Sequence, residues 1–304
     1  MGDVEHSLRV VTWNVWGRYG PWLERAPRIT ETLQRLDPDV VCLQEVWTVG
    51  GRTQADALAE DLGLHAVFDR TRMPDVEPES GADGLGMAVL GRWPVLARQC
   101  HELPTDLPGD PASLVIVTFA HPTGPLHVAT TVPVWERDAG EVRLAQTTAI
   151  ATALTDSDLD GVPPVVLAAD LNARPDTPEF SALTEVLIDA WAAVRPRERG
   201  HTLAHANRYV AAEEWLADGR IDHVLVRSGS PAYPVSVTFA DLAGTTDPPP
   251  SDHYAVVVDL AWSDHGASAG PTERGAPRPP DTVPVSDSPR DSVAPAADGS
   301  RTWP

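Results

Sequence analysis

Five short segments of this 304-residue chain carry side chains that could do chemistry together. In order they are Thr12-Trp13-Asn14-Val15-Trp16, Leu43-Gln44-Glu45-Val46, Ala169-Asp170-Leu171-Asn172-Ala173, Arg220-Ile221-Asp222-His223 and Ser251-Asp252-His253. The first four follow or overlap an apolar β-type run, and the last precedes one. Sheets gather residues distant in sequence at their strand ends, so these groups can converge on one site. Carboxylates, amides and one histidine form the donor set of a hard cation such as Mg2+. A cation of that kind, a water activated by a base and a phosphoryl group to attack would make a hydrolytic site.

The surrounding pattern supplies the elements that must position these groups. Arg9–Val15 alternates and is rich in Val and Thr, as strands are. Leu23–Leu36 puts Ile29, Leu33 and Leu36 at helical spacing before the stop Asp37-Pro38-Asp39. Val40–Val46 reads as a strand and Gln54–Leu62 as a short helix ended by Gly63. A polar loop over residues 69–84 precedes strands Gly86–Leu90 and Val95–Glu102, and Ser113–Ala120 with Leu126–Val132 reads as a hairpin. Val142–Leu154 reads as a helix, Val165–Ala169 as a buried strand and Thr177–Ala193 as one further helix. Ile221–Val226, Val235–Phe239 and Tyr254–Leu260 complete the strands. Two helix–strand alternations separated by meandering strands imply an α/β fold of two packed sheets with helices outside.

Composition narrows the function. At 42% hydrophobic, the chain can fill one large core or at most two domains. Residues 1–262 are expected to fold, and the Pro-, Ser- and Asp-rich stretch 263–304 to be a disordered tail, because it buries too little to offset ordering entropy. A net charge of −21 argues against general binding of long nucleic acids, whose affinity comes from phosphate contacts. All 23 basic residues are Arg, which excludes a Walker-type phosphate loop and its lysine. Cys42 lies in an apolar run and reads as a small buried hydrophobe, and neither it nor Cys100 has zinc or disulfide spacing. The polar, acidic N-terminus lacks signal-peptide character, and no apolar run approaches transmembrane length. A cytoplasmic monomer without stable membrane association is expected.

Taken together, Thr-Trp-Asn, Leu-Gln-Glu-Val, Asp-Leu-Asn, Arg-Ile-Asp-His and Ser-Asp-His resemble the motifs of the endonuclease/exonuclease/phosphatase superfamily, the deoxyribonuclease I-like proteins. Gly86-Met87-Ala88-Val89-Leu90-Gly91-Arg92-Trp93-Pro94 looks like the family's hairpin, Arg143 and Gln146 like its "R-x-x-Q" helix, and Gly200-His201-Thr202-Leu203 like its "G-H-T-W" loop. The resemblance runs from Val10 to about Leu260 and implies a four-layer α/β/β/α sandwich of two mixed sheets flanked by helices, with the site where the sheets splay apart. It further implies Glu45 as the main Mg2+ ligand (Mn2+ as an alternative), assisted by Asn14 and Asp252. Asp170 would orient or deprotonate the attacking water, Asn172 would hold a phosphate oxygen, and His253 would contact the phosphoryl group. Asp222 would orient the His253 ring. Arg18 and His201 lie where the family contacts substrate.

One departure bears on activity. Many members carry a second catalytic His at a strand end, where this chain has Val132 after Thr130-Thr131. Valine can neither donate a proton nor bond a phosphate oxygen, and acid–base help is worth about 10²–10⁴-fold in rate. His127 falls on the opposite strand face, so His201 or His205 is the expected source of a replacement. His65, His101, His121 and His265 read as surface or loop residues, and Arg52, Arg70 and Arg72 as solvated. The first expectation is a metal-dependent hydrolase of a phosphodiester or phosphomonoester, its substrate a small phosphate ester or a nucleic-acid end. The alternative is a weakened or inactive member that keeps the pocket as a metal- or phosphate-binding module, because of Val132.

Overall fold

Two parallel strand pairs, each joined by a helix, set the polarity of the molecule. The computed structural model describes residues 4–70, 81–105, 112–211 and 217–264. In chain order the first half comprises β1 (Val4–Asn14), α1 (Trp22–Leu36), β2 (Val40–Val49), β3 (Arg52–Thr53), α2 (Gln54–Leu62), β4 (His65–Asp69), β5 (Gly84–Gly91) and β6 (Val95–Glu102). The rest comprises β7 (Ser113–His121), β8 (Gly124–Thr131), α3 (Gly140–Leu154), β9 (Val165–Asp170), α4 (Pro178–Thr184), β10 (Ile188–Asp189), α5 (Ala190–Val194), β11 (Asp222–Arg227), β12 (Ser236–Ala243) and β13 (Ala255–Asp264). One sheet runs β12-β13-β1-β2-β5-β4, with β3 beside β2, and the other runs β10-β11-β9-β8-β7-β6. The β1/β2 and β8/β9 pairs are parallel and all other pairings are antiparallel, so both sheets are mixed.

Both faces of the central strands are apolar, which gives the expected four layers. Leu8 and Val10 of β1 meet Val128 and Val166 between the sheets, while Val11 and Trp13 face outward onto Ile29 and Leu33 of α1. On the far side Ile150 and Leu154 of α3, with Phe180 and Leu183 of α4, cover Ala129 and Leu167. Each fully buried side chain of this kind contributes about 1.5–3 kcal/mol. That surplus lets one edge of the inter-sheet layer hold polar groups instead. β1, β8 and β9 end at that edge, the parallel pairing of β2 stops there at Gln44, and β11 and β13 begin there, Asp222 pairing in register with Asp170. Strand direction therefore brings Asn14, Glu45, Asp170, Asp222 and the Asp252-His253 turn to one end, at the carboxyl ends of the parallel strands, where α/β sheets bind ligands.

Several expectations shift. Residues 177–193 are not one helix: α4 stops at Thr184, β10 pairs with β11, and α5 restarts behind Asp189. The Asp189 carboxylate accepts the backbone N–H of Trp191 (3.0 Å) and Ala192 (3.3 Å), a cap that competes with helix continuation. His65–Asp69 is a strand that apolar alternation was too short to reveal. His121 is buried among His6, Trp93 and Trp262 instead of lying in a surface loop. Cys42 is buried as expected, and Cys100 is exposed. The last strand continues through Asp264, four residues past its expected end and two past the expected domain boundary at 262. The chain divides into Met1–Ala267, which holds every described residue, and Ser268–Pro304, which lies outside them. The expected tail thus falls outside the described residues, apart from Ser263 and Asp264, as do Arg72 and His265. Among the described residues no helix is long and apolar enough to cross a membrane.

Asp189 also anchors a buried network beneath the site. It takes a bidentate pair from Arg220 (2.8 and 2.9 Å). Arg220 Nη1 in turn lies 3.0 Å from His223 Nδ1, and His223 Nε2 lies 2.9 Å from the Ala173 carbonyl. These partners fix the tautomer: Nδ1 accepts from the guanidinium, so Nε2–H donates to Ala173. Burial, and then the Arg220 charge, lower the His223 pKa to about 4. The network ties the loop after β9 to the start of β11, and so holds Asp170 beside Asp222. D189A strands Arg220 as a buried unpaired charge and is expected to destabilise by about 3–5 kcal/mol in urea unfolding; a change under 1 kcal/mol would contradict this account. His223 stays neutral in the fold, whereas the unfolded ring protonates near pH 6.5. Its contribution to stability is therefore lost as pH falls from about 6.5 toward 4. The urea midpoint should fall less steeply over this window in H223N than in the wild type; equal slopes would show that His223 does not carry the linkage.

Candidate active site

The amide of Asn14 joins the two sheets. Its Nδ2 donates to Glu45 Oε1 (2.9 Å) and to Asp170 Oδ2 (3.1 Å), one carboxylate from each sheet. Its Oδ1 accepts the Trp16 N–H at 3.0 Å, which locks the side chain. In this orientation Asn14 serves the carboxylates as a donor, and ligating a cation through Oδ1 would require the amide to turn over. Glu45 interrupts the β2/β5 register between Leu43 and Val46 and has a φ of 55°, a bulge that re-aims its carboxylate. Just before it, Gln44 Nε2 reaches Thr130 Oγ1 of the other sheet at 3.0 Å, a second inter-sheet bond.

On the second sheet, Asp170 Oδ1 accepts the Asn172 N–H at 3.0 Å, and Asn172 takes a left-handed turn with a φ of 48°. Asn172 Nδ2 donates to the Pro133 carbonyl at 3.1 Å. Beside them, Asp222 Oδ2 lies 2.8 Å from His253 Nδ1, and both side chains are buried. Asp222 Oδ1 is also buried, with no hydrogen-bond partner among the described residues. Asp170, Asp222 and His253 each offer a ligand atom within 4.8 Å of the others. Asp252 joins through Ser251, whose hydroxyl donates to the Asn14 carbonyl at 2.7 Å and lies 3.1 Å from Asp252 Oδ1.

Crowding these acids perturbs them. Burial raises the carboxyl pKa of Glu45, reinforced by the Asp252 charge. Burial and then Asp222 raise that of Asp170. Burial raises that of Asp252, opposed by His253 and Arg25. For His253, burial disfavours the charged ring, but Asp222 and Asp252 outweigh it and hold the pKa well above its usual value.

Of the expected residues, Asn14, Glu45, Asp170, Asn172, Asp222, Asp252 and His253 are brought together. Arg18 sits in the adjoining loop, with its guanidinium over Trp22 (4.5 Å) and Trp47 (5.2 Å) and donating to the Gly81 carbonyl. His201 and His205 turn toward Asp218, at 3.8 and 2.6 Å, and His201 lines a separate groove. Val132 follows β8 in the alternation of Leu126, Val128 and Thr130, so it faces the inter-sheet layer and packs on its core. His127 lies on the other face, bonded to Thr118.

Sequence reasoning missed the residues that hold this arrangement. Arg25 is only 1% exposed, and the charges of Asp252 and Glu45 act on it. Its guanidinium donates to the carbonyls of Val15 (3.1 Å), Trp16 (2.9 Å), Gly17 (3.1 Å), Tyr19 (2.8 Å) and Pro250 (2.9 Å). It thereby clamps the loop after Asn14 to the segment leading into Ser251. Burial lowers its pKa to about 10, with the Asp252 charge acting against that shift, so it stays charged at neutral pH. The available signal was position: residues 25, 29 and 33 share one helix face, and a charge on that apolar stripe has a structural task. Asn207, also buried, donates to the Ser251 (2.8 Å) and Asp252 (2.9 Å) carbonyls, and nothing in its polar loop announced that. Thr202 Oγ1 accepts the Ile221 and Asp222 N–H groups at 3.1 Å each. Replacing Arg25 by Met leaves several buried carbonyls unpaired, and R25M is expected to lower unfolding stability by about 3 kcal/mol. Urea denaturation tests this, and a loss below 1 kcal/mol would remove Arg25 as the clamp.

The chain matches the model of the Endonuclease/Exonuclease/phosphatase family over residues 11–253. Among solved structures it is similar to D. rerio TDP2 complexed with single strand DNA product, at 19% identity and a TM-score of 0.68, covering 84% of this chain and 98% of that one. An endonuclease/exonuclease/phosphatase from Beutenbergia cavernae is 26% identical, with a TM-score of 0.65 over 84% of this chain and 71% of that one. The human Nocturnin catalytic domain with bound sulfate anion is 19% identical, with a TM-score of 0.66 over 86% and 97%. No curated protein matches the chain. The family match begins within β1 and ends at His253, spanning every strand end that feeds the cleft, and the chain therefore belongs to the endonuclease/exonuclease/phosphatase family, a membership that points to phosphoesterase activity of the nuclease or phosphatase type.

Proposed function

We propose that this chain is a divalent-cation-dependent hydrolase of a phosphodiester or phosphomonoester. The observation that carries the reading is the Asn14 amide bridging Glu45 and Asp170 from facing sheets, beside the Asp222–His253 pair. The donor set suits a hard cation, Mg2+ or Mn2+. Several carboxyl pKa values are raised by burial and mutual repulsion, and the buried Asp222 Oδ1 has no partner among the described residues. Positive charge in the cleft would relieve both. Glu45 and Asp252 would hold the ion, with Asn14 joining them only if its amide turned over, and Asp170 and Asp222 would add carboxylate oxygens from the facing sheet. When bound, the ion would offset charge developing on the phosphoryl oxygens.

The chain's own residues do the remaining work in this reading. Asp170, its basicity raised by burial and by Asp222, orients the attacking water and takes its proton. Asn172 holds a phosphate oxygen. His253 donates from Nε2 to the phosphoryl group, while Asp222 holds Nδ1 and keeps the ring charged. Arg18, braced by two Trp rings, contributes a substrate contact. The acidic balance of −21 favours a small phosphate ester or a nucleic-acid end over long duplex. A single strand DNA product bound to D. rerio TDP2 is in keeping with the second of these.

A second reading rests on Val132, an apolar side chain turned into the layer that reaches the cleft. On that reading the pocket binds a cation or phosphate without turnover. The test is hydrolysis of bis-p-nitrophenyl phosphate with Mg2+, Mn2+ and then EDTA. Wild type is expected to turn over only with metal, E45Q to lose at least about 100-fold, and D170N about 10²–10⁴-fold. Metal-dependent thermal stabilisation without turnover would instead favour the binding module.

A further inference from the structure

A groove of about 810 Å3 opens beside the loops that carry Asn172 and Asp222, and its walls include Arg174, Trp191, Arg197, Arg199, His201 and Arg220. In a chain of net charge −21, this gathering of guanidinium groups runs against composition. The acids on the same walls are already engaged. Asp189 holds Arg220, Glu198 holds Arg195, Asp176 holds Arg174, and Asp218 lies against His201 and His205. Arg197 and Arg199 are exposed and make no hydrogen bond or ion pair among the described residues. The Arg174–Asp176 pair is exposed on both sides, and such pairs hold their partners weakly. Three guanidinium groups are thus available to an anion, and phosphate matches their planar fork. Arg220 and His201 line the groove, and Thr202, next to His201, accepts the Asp222 N–H at 3.1 Å, so a ligand in the groove adjoins the site.

We infer that this groove is a subsite for further phosphate groups of an extended substrate, beyond the phosphate in the cleft. The inference rests on the hydrolytic reading for its link to turnover, but not for binding. KM is compared for thymidine 5′-(p-nitrophenyl phosphate) and for the same ester at the end of an oligothymidylate, in wild type and in R197A/R199A. Wild type is expected to bind the longer ester at least about tenfold more tightly, by contacts typical of single strands. The double variant is expected to remove that advantage and to flatten the slope of log KM against log salt by about 1.4, roughly 0.7 for each lost contact. A longer ester with no advantage in wild type, or one that keeps it in the variant, overturns the inference.

Anisotropy of a fluorescein-labelled oligothymidylate separates a failed groove from a failed hydrolase. With no turnover of either ester, binding weakened about tenfold in the variant still supports the subsite, and equal binding overturns it. Inorganic tripolyphosphate serves as the second arm. If it alone binds, with affinity lost in R197A/R199A, the groove takes free polyphosphate and not a strand.

Discussion

Mutual repulsion among carboxylates is the constraint to which the rest of the structure answers. Glu45, Asp170, Asp222 and Asp252 share one cleft, and burial raises the pKa of three of them. Unpaired, such groups would protonate or open the fold. The Asn14 amide offsets part of this by donating to two of them at once. His253 carries a positive charge against Asp222, and the buried Arg25 lends its charge from below. The remaining negative potential is what a cation, in the function proposed for this site, would offset.

Such a cluster persists only on a stiff support. The parallel pairs β1/β2 and β8/β9 deliver their ends to the same edge, and the apolar layer between the sheets sets the spacing. Hydrogen bonds then fix what packing cannot. Arg25 and Asn207 hold the backbone on either side of Asp252, and Thr202 holds the start of β11. Gln146 accepts the Val134 N–H, and Arg143 donates to the Val134 and Glu136 carbonyls, so α3 holds the loop just past Val132. A group that acts by position gains from every such tether, because small displacements cost rate steeply.

The loop after β1 shows support and site merging. Trp16 has a φ of 55°, and its ring lies 4.6 Å from the Arg25 guanidinium and 5.0 Å from Tyr209. A side chain on Gly20 would strike that ring, its Cβ falling 2.7 Å away, so the turn requires glycine. The same few residues thus shape the cleft mouth and hold Asn14, and the Gly17 N–H bonds the Glu45 carbonyl at 3.0 Å to carry the loop onto β2.

The sequence by itself determined the sheet architecture and the membership of the cluster. Alternation in β1 and β9, helical spacing in α1 and α3, and residue type at strand ends are local properties, and they stand whatever the distant chain does. It also marked Val132 as an apolar group at a polar edge. Tertiary structure alone decided which groups touch. That Asn14 bridges Glu45 to Asp170, and that His201 turns to Asp218 and not into the cleft, depends on chain segments far apart in sequence. The division of residues 177–193 turned on Asp189, whose partner Arg220 lies 31 positions away. Asn207 was silent, and Arg25 gave only its place on an apolar helix face, because their partners are backbone carbonyls, which every residue offers. Only the folded chain decides which carbonyls are left facing a buried donor.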